Sequence, residues 1–326
     1  MEKISIIIPV YNEVENLERL HQAVGSALSK VKLPWQVIYV DDGSSDGSAH
    51  KLEELACADP EHIGLVELRR NFGQTAAIAA GIDNADGDMI VLMDADLQND
   101  PADIPMMMDK LHEGYDVVSG WRVNRQDKLL SRRLPSQLAN SLISIVTGVH
   151  LHDYGCTLKA YRKEVITGFR LYGEMHRFIP AYANLVGARI IEVPVNHHAR
   201  VFGKTKYGLN RTLKVILDLF TVKFLLSFAH KPIYLFGGTG AVLIALSLAV
   251  LSFLIFNRIV FGEHMIRSPL LLMSMMLFIM GFQSILMGLI AELLARTYHE
   301  SQHKPTYTIR RVIMDGQETM RRGYGI

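Results

Sequence analysis

The sequence has only two cysteines, Cys57 and Cys156, too far apart to read as a metal pair, and their scarcity fits a reducing compartment. It has no excess charge of either sign. Its 34 lysines and arginines meet 33 aspartates and glutamates, which argues against a nucleic-acid binder and against an acidic tail. The opening residues, MEKISIIIPV, lack a basic region followed by a long apolar stretch, so no signal peptide is expected and the first domain is expected in the cytosol. No P-loop pattern occurs, and His197 and His198 have no partner at metal-ligand spacing, so a surface or groove role is expected for them. Finally, two long stretches lack Asp, Glu, Lys and Arg altogether: Pro232 to Phe256 and Ser268 to Ala291. Each exceeds the ~20 apolar residues that cross a bilayer core as a helix, and buried core helices of that length normally carry a polar face. GGTG at 237–240 lacks the third glycine of a dinucleotide fingerprint and lies inside the first stretch.

Basic residues flank these stretches unevenly. Lys204, Lys206, Arg211, Lys214, Lys223 and Lys231 precede the first, and Arg296, Lys304, Arg310 and Arg311 follow the second. The loop between them holds only Arg258 and Arg267. The positive-inside rule then predicts a two-span hairpin with both chain ends cytoplasmic. Just before it, residues 209–231 set Arg211, Lys214 and Asp218 on one helical face and Leu213, Ile216, Leu217, Phe220 and Phe224 on another. That profile suits a helix in the membrane interface, or one packed on the soluble domain.

The first 120 residues alternate short apolar runs (4–8, 35–40, 63–68, 89–93, 115–120) with helical patterns near 13–30, 46–58, 74–84 and 101–112. This predicts a mostly parallel, Rossmann-like sheet with helices on both faces, and ligands beyond the carboxyl ends of its strands. Three such ends carry polar residues: PVYNE after the first strand, DDGSSDGS after the second, DADLQ after the fourth. Further on, 134–148 reads as a helix, 188–195 as a late strand, and YTIRRVIMDG in the tail as a short hairpin or an added strand.

Asp94 and Asp96 flank a single residue at a strand end, so both carboxylates can point to one side. Oxygen ligands of this kind suit a hard divalent cation, Mg²⁺ or Mn²⁺, although calcium loops and solvated turns show the same spacing. In DDGSSDGS, Asp46 or Ser45 is expected to cap the next helix. Asp41 and Asp42 abut a buried strand: one can accept from a base N–H, the other from backbone amides. RVFGKTKYG (200–208) reads either as a basic loop near anionic lipid or as a phosphate clamp formed by Arg200 and Lys206.

IIIPVYNE, DDGSSD, RNFGQTAAIAAG, DADLQNDP, SGWR, DYGCTLKAYR and RVFGKTKYG occur in this order along the chain. The ordered set resembles the family 2 glycosyltransferases of GT-A fold, and among them the polyisoprenyl-phosphate glycosyltransferases. That group includes dolichol-phosphate mannose synthases, bactoprenol glucosyltransferases and undecaprenyl-phosphate aminoarabinose transferases. The resemblance implies that Pro9, Tyr11, Glu13, Val40 and Asp42 hold the donor's base and ribose. It likewise implies that Asp94 and Asp96 bind the metal with Gln98 as a third ligand, and that Arg122, Arg200 and Lys206 contact the donor. Asp153 would lie near the reaction centre. The chain lacks the QxxRW motif of processive synthases and has too few spans for a polymer channel.

The expected organisation is a cytoplasmic GT-A domain (1–208), an interfacial helix (209–231), spans at 232–256 and 268–291, and a cytoplasmic tail (292–326). The expected reaction is inverting transfer of one sugar, glucose from UDP-glucose, to undecaprenyl phosphate at the inner membrane by a homo-oligomer. The alternatives are a hydroxyl or amide acceptor on a glycan, diacylglycerol or protein, and a silent nucleotide-sugar sensor. A phosphate monoester is largely dianionic at neutral pH, its second pKa being about 6, so with that acceptor Asp153 need only position groups.

Overall fold

The computed structural model describes residues 2–123, 140, 143–144, 147–167, 171, 175–199, 233–261, 268–301 and 306–319. The basic stretch at 124–133, most of the helix expected at 134–148, the 200–208 loop and the helix expected at 209–231 lie outside them. The chain forms two compact units: Met1–Lys223 with Pro305–Ile326, and Phe224–Lys304.

In the first unit, β1 (Ile4–Val10), β2 (Trp35–Asp41), β3 (Ile63–Leu68) and β4 (Met89–Leu92) alternate with α1 (Val14–Leu28), α2 (Ser48–Ala58) and α3 (Gln74–Asn84). There follow α4 (Ile104–His112), β5 (Val117–Trp121), β6 (Lys159–Arg162), α5 (Ile179–Leu185), β7 (Ile190–Pro194), β8 (Ile309–Met314) and β9 (Gln317–Thr319). The sheet runs β7-β5-β6-β4-β1-β2-β3-β8-β9. Ile4, Ile6, Ile7 and Ile8 are all fully buried, so β1 is covered on both faces, which is why it reads as a continuous apolar run. Helix α1 buries Leu17, Leu20, Val24 and Leu28, a stripe at helical spacing.

Strands β1 to β4 pair in parallel, with Val10 opposite Asp41 and Ile7 opposite Leu92, so their three polar ends lie along one edge. Strand β6 enters between β4 and β5, antiparallel to both, and β5 pairs in parallel with β7. The tail adds β8 antiparallel to β3 and closes a hairpin with β9. Arg311 fastens it, Nε to Glu67 Oε2 at 2.6 Å and Nη2 to Glu53 Oε2 at 2.7 Å, while Tyr307 Oη donates to Asp83 at 2.6 Å. An edge strand that would otherwise expose unpaired N–H and C=O groups is thereby covered.

The second unit is a pair of helices, α6 (Ile233–Phe261) and α7 (Pro269–Ser301). Within them Phe236–Phe261 (26 residues) and Pro269–Ala291 (23 residues) are long and apolar enough to cross a membrane. Thr239 Oγ1 meets Ser284 Oγ at 3.0 Å and Ser247 Oγ donates to the Ser274 carbonyl at 2.7 Å, so the helices run antiparallel. A Cβ on Gly240 would stand 2.6 Å from the Gly281 carbonyl oxygen, and one on Gly281 2.7 Å from that of Gly240. Small residues here let the backbones touch, as in lipid, where close packing replaces the hydrophobic effect between helices. The outer faces expose large apolar side chains such as Phe253, Phe256, Met276 and Phe282.

Candidate active site at the carboxyl edge of the sheet

The turns after β1 and β2 are sewn together. Asn12 N–H donates to Ser44 Oγ (2.9 Å), Ser45 N–H to Asn12 Oδ1 (2.8 Å) and Glu13 N–H to Ser48 Oγ (3.1 Å). Asn12 adopts φ 52°, a left-handed conformation that asparagine tolerates better than most residues. Asp46 receives the N–H of Ser48, the first residue of α2, at 3.0 Å, the expected capping contact. Pro9 and Val40 are register partners, Tyr11 is exposed at the rim, and Glu13 accepts from Asn16 Nδ2 at 2.6 Å.

Of the neighbouring aspartates, Asp42 takes two backbone amides, Phe72 N–H at 2.7 Å and Gly73 N–H at 2.9 Å, just ahead of α3. Burial pushes its carboxyl up to about 6 despite those donors. Asp41, also buried, accepts the Ser44 N–H at 3.2 Å, and burial raises it too.

Beyond β4, Asp94 Oδ1 accepts from Gln74 Nε2 at 2.7 Å and Oδ2 from Thr157 Oγ1 at 2.8 Å. Asp96 is buried and accepts the Gln98 N–H at 3.2 Å. Burial, then the Asp96 charge, pushes Asp94 above the usual carboxylate range. Leu97, between Asp96 and Gln98, is held at φ 58°, a strained conformation of the kind that collects at working sites. Two crowded carboxylates form an oxygen-donor pair that a hard divalent cation would relieve of its repulsion, while the Gln98 side chain directs Nε2 to the His198 carbonyl at 3.5 Å. Among the described residues no group of three or more His, Cys, Asp or Glu could hold a metal by itself. A cation here would thus complete its shell with water and substrate oxygens, as Mg²⁺ usually does. Of the histidine pair, His197 bridges to Asn99 in strand fashion, and His198 donates its main-chain N–H to the Gln98 carbonyl at 2.9 Å and meets Asp100 Oδ2 at 3.1 Å.

Arg122, after β5, and Asp153, in the loop before β6, form one unit. Arg122 Nε lies 2.6 Å from Asp153 Oδ2, Nη2 lies 2.9 Å from Oδ1, and Gly155 N–H adds a third donor at 3.1 Å. Both side chains are largely buried. The main-chain N–H of Asp153 donates to Glu192 Oε1 at 2.9 Å. Lys159 is buried beneath the same loop, with Nζ donating to the carbonyls of Tyr154 and Cys156, and burial lowers its pKa to about 8.

Several residues without a sequence-assigned role converge here. Gln74 and Thr157 hold Asp94. His176 Nδ1 meets Thr75 Oγ1 at 2.7 Å, bringing the 3₁₀ turn Met175–Arg177 to the start of α3. A small cavity is lined by Pro9, Asp94, Gly155, Thr157, Lys159 and Arg177, among others. The motifs quoted for the resemblance contain Gln74 and Thr157, whereas no pattern distinguished Met175–Arg177. Arg200 and Lys206 lie outside the described residues.

Residues 5–169 match the model of the family described as Glycosyl transferase family 2. A dodecaprenyl-phosphate galacturonate synthase of Rhizobium johnstonii is 43% identical over 316 residues, 96% of this chain and 94% of that protein. An undecaprenyl-phosphate 4-deoxy-4-formamido-L-arabinose transferase of Klebsiella pneumoniae is 38% identical over 314 residues, again 96% and 94%. Among solved structures, glucosyl-3-phosphoglycerate synthase of Mycobacterium tuberculosis with Mn²⁺ and uridine-diphosphate-glucose aligns over 68% of this chain and 79% of that one. Its TM-score is 0.53 at 19% identity, a likeness of fold alone, and that fold is GT-A. These relatives correct one expectation. The two similar along their whole length are named for galacturonate and 4-deoxy-4-formamido-L-arabinose, not for glucose. The motifs read from the sequence were assigned to nucleotide, metal and phosphate, and none of them to the sugar's own substituents.

Proposed function

The chain belongs to glycosyl transferase family 2 and is a glycosyltransferase, and from that premise we propose that it transfers one sugar from a UDP-sugar to a polyprenyl phosphate. The observation that carries this reading is the engagement of Asp153. A hydroxyl acceptor must lose its proton as it attacks, and a general base would have to take it. Here the carboxylate beside the site spends both oxygens on the buried guanidinium of Arg122. An ionised phosphate acceptor needs no base, and both whole-length relatives are named for polyprenyl-phosphate acceptors.

In this reading Pro9, Tyr11, Glu13, Val40 and Asp42 receive the uridine and its ribose. Asp94, Asp96 and Gln98 would hold Mg²⁺ or Mn²⁺, which when bound would supply positive charge against the donor diphosphate. Arg200 and Lys206 face phosphate. An oxygen of the acceptor phosphate attacks C1 of the sugar, the bond from C1 to the UDP oxygen breaks, and UDP leaves with that electron pair. No proton is transferred, and the anomeric centre inverts. Asp153 fixes Arg122 and is a positioning residue.

The sugars named for the relatives share one stereochemical feature: both have the galacto arrangement at C2 to C4, and they differ in the substituents at C4 and C5. The donor proposed is therefore a UDP-sugar of that configuration. The hairpin would anchor the enzyme in the inner membrane with its catalytic unit on the cytoplasmic side, where a lipid phosphate is within reach. To test this, the purified full chain is given undecaprenyl phosphate and labelled UDP-galacturonate, UDP-4-deoxy-4-formamido-L-arabinose or UDP-glucose. Label is expected in an organic-extractable, mild-acid-labile lipid from a galacto-configured donor. Label from UDP-glucose alone would overturn the sugar assignment, and absence of lipid label from every donor would overturn the acceptor.

A further inference from the structure

Gly155 sits where two cationic side chains meet. A Cβ built on it would lie 3.1 Å from Arg122 Nη2, 3.4 Å from Asp153 Oδ1 and 3.9 Å from Arg177 Nη1. Its φ lies outside the left-handed range, so the backbone would accept any residue. What glycine supplies here is room. The space lies between a guanidinium already paired with Asp153 and a second one, half-buried, on the wall of the cavity that also holds Asp94.

Arg177 is held in place through its neighbour. The His176–Thr75 contact of 2.7 Å ties the 3₁₀ turn to α3, one residue from the Gln74 that holds Asp94. Order along the sheet decides which phosphate such a cation meets. The residues assigned to the nucleotide lie on and after β1 and β2, and the carboxylate pair follows β4. Arg122 directly follows β5 and Gly155 lies in the loop that leads into β6, and both strands lie on the other side of β4 from β1 and β2. A donor reaching from β2 to Asp94 places its diphosphate at β4 and its sugar beyond, and the nucleophile must approach C1 opposite the leaving group.

We propose that Arg177, with Arg122 across the gap left by Gly155, receives the phosphate of the acceptor lipid, which moves Arg122 from the donor contact implied by the resemblance to the acceptor side. This rests on the glycosyl-transfer reading and adds to it a residue that selects a phosphate acceptor. Guanidinium is suited to the task, because its fork of N–H donors matches phosphate oxygens and its charge persists at every working pH.

The test compares wild-type full-length protein with Arg177→Ala and Gly155→Ala, using a short-chain polyprenyl phosphate and the UDP-sugar the wild type accepts. Losing a hydrogen bond to a charged group should raise the acceptor KM by about 10- to 100-fold in Arg177→Ala. The donor KM and Mn²⁺-dependent UDP binding should stay at wild-type values. Added guanidinium ion should restore part of the Arg177→Ala acceptor affinity, which a purely structural defect would not allow. Gly155→Ala narrows the gap by one methyl group without straining the backbone, so it should move the acceptor KM the same way and decides the matter if Arg177→Ala does not fold. A raised donor KM or weakened UDP binding with unchanged acceptor KM would assign Arg177 to the donor and overturn the proposal. So would wild-type kinetics in both variants. If wild type itself moves no sugar to the polyprenyl phosphate, the reading beneath falls as well; if it does and only the variants disagree, this inference falls alone.

Discussion

Replacing Asp153 by asparagine separates a positioning residue from a base. In the wild type its two oxygens accept from Arg122 Nε at 2.6 Å, from Nη2 at 2.9 Å and from Gly155 N–H at 3.1 Å. Asparagine offers one oxygen and turns an NH₂ group toward a donor, so one guanidinium contact becomes repulsive and the charge of Arg122 loses its counterion. The side chains are only 13% and 5% exposed, so solvent screens little of this. Breaking a buried pair from one side costs about 3–5 kcal/mol, and an isosteric amide that keeps one contact belongs at the lower end. Stability measured by urea unfolding of the detergent-solubilised protein should fall accordingly. Turnover should fall about 10- to 100-fold through misplacement of Arg122, whereas removal of a required general base costs typically ~10²–10⁴-fold. Because these ranges meet, the pH profile decides. With a phosphate nucleophile, wild type and Asp153→Asn should share an acidic limb set by the acceptor, near its second pKa of about 6. An acidic limb present in the wild type and abolished in Asp153→Asn would make Asp153 the base and refute the reasoning.

Asp94→Asn and Asp96→Asn should each lower turnover by orders of magnitude and weaken Mn²⁺-dependent UDP binding, because an amide cannot neutralise the cation; undiminished wild-type activity after exhaustive chelation would contradict the metal assignment. UDP binding should weaken in acid with a midpoint set by Asp42 at about 6. The ionised carboxylate is the form that accepts from uracil, so affinity should drop roughly tenfold at pH 5 and be flat with pH in Asp42→Asn. Since folding raises this pKa from 3.8, ionised Asp42 costs stability above about pH 6, and that cost is absent below 3.8. Topology reporters fused before Met1 and after Arg311 should both read cytoplasm and one at Glu263 the opposite side; termini on opposite sides would break the hairpin.

The half of the sheet to which the nucleotide is assigned was legible because its signals are local. Fully buried strands such as Ile4–Val10 and Ile63–Leu68 are apolar without interruption, and each is bounded by a polar turn within a few residues. The turns after β1, β2 and β4 then fall on one edge by parallel topology alone. The half that shapes the reaction is assembled from distant pieces. Arg122 and Asp153 were each singled out, yet nothing along the 31 positions that separate them announces that they neutralise each other. The antiparallel entry of β6, which brings Thr157 within 2.8 Å of Asp94, depends on a strand of only four residues. Met175–Arg177 is shorter still, and its contact with Thr75 crosses 101 positions. The tail's YTIRRVIMDG read as a short hairpin or an added strand, but its place beside β3 depends on Arg311 finding Glu53 and Glu67. Sugar identity failed for another reason: it depends on the shape of a pocket, and the glucose expectation rested on the two-span hairpin that glucosyl members share rather than on any residue assigned to the sugar.

Identifying both products of a single turnover tests the proposed chemistry most directly. Full-length protein, undecaprenyl phosphate labelled with ¹⁸O on its phosphate and the accepted UDP-sugar are mixed, and the nucleotide and lipid are weighed by mass spectrometry. Attack by the acceptor phosphate on C1 should release unlabelled UDP and leave a lipid with one phosphorus, one sugar and all of the ¹⁸O. UMP together with a lipid diphosphate sugar, or sugar found only on a non-phosphate acceptor, would contradict it.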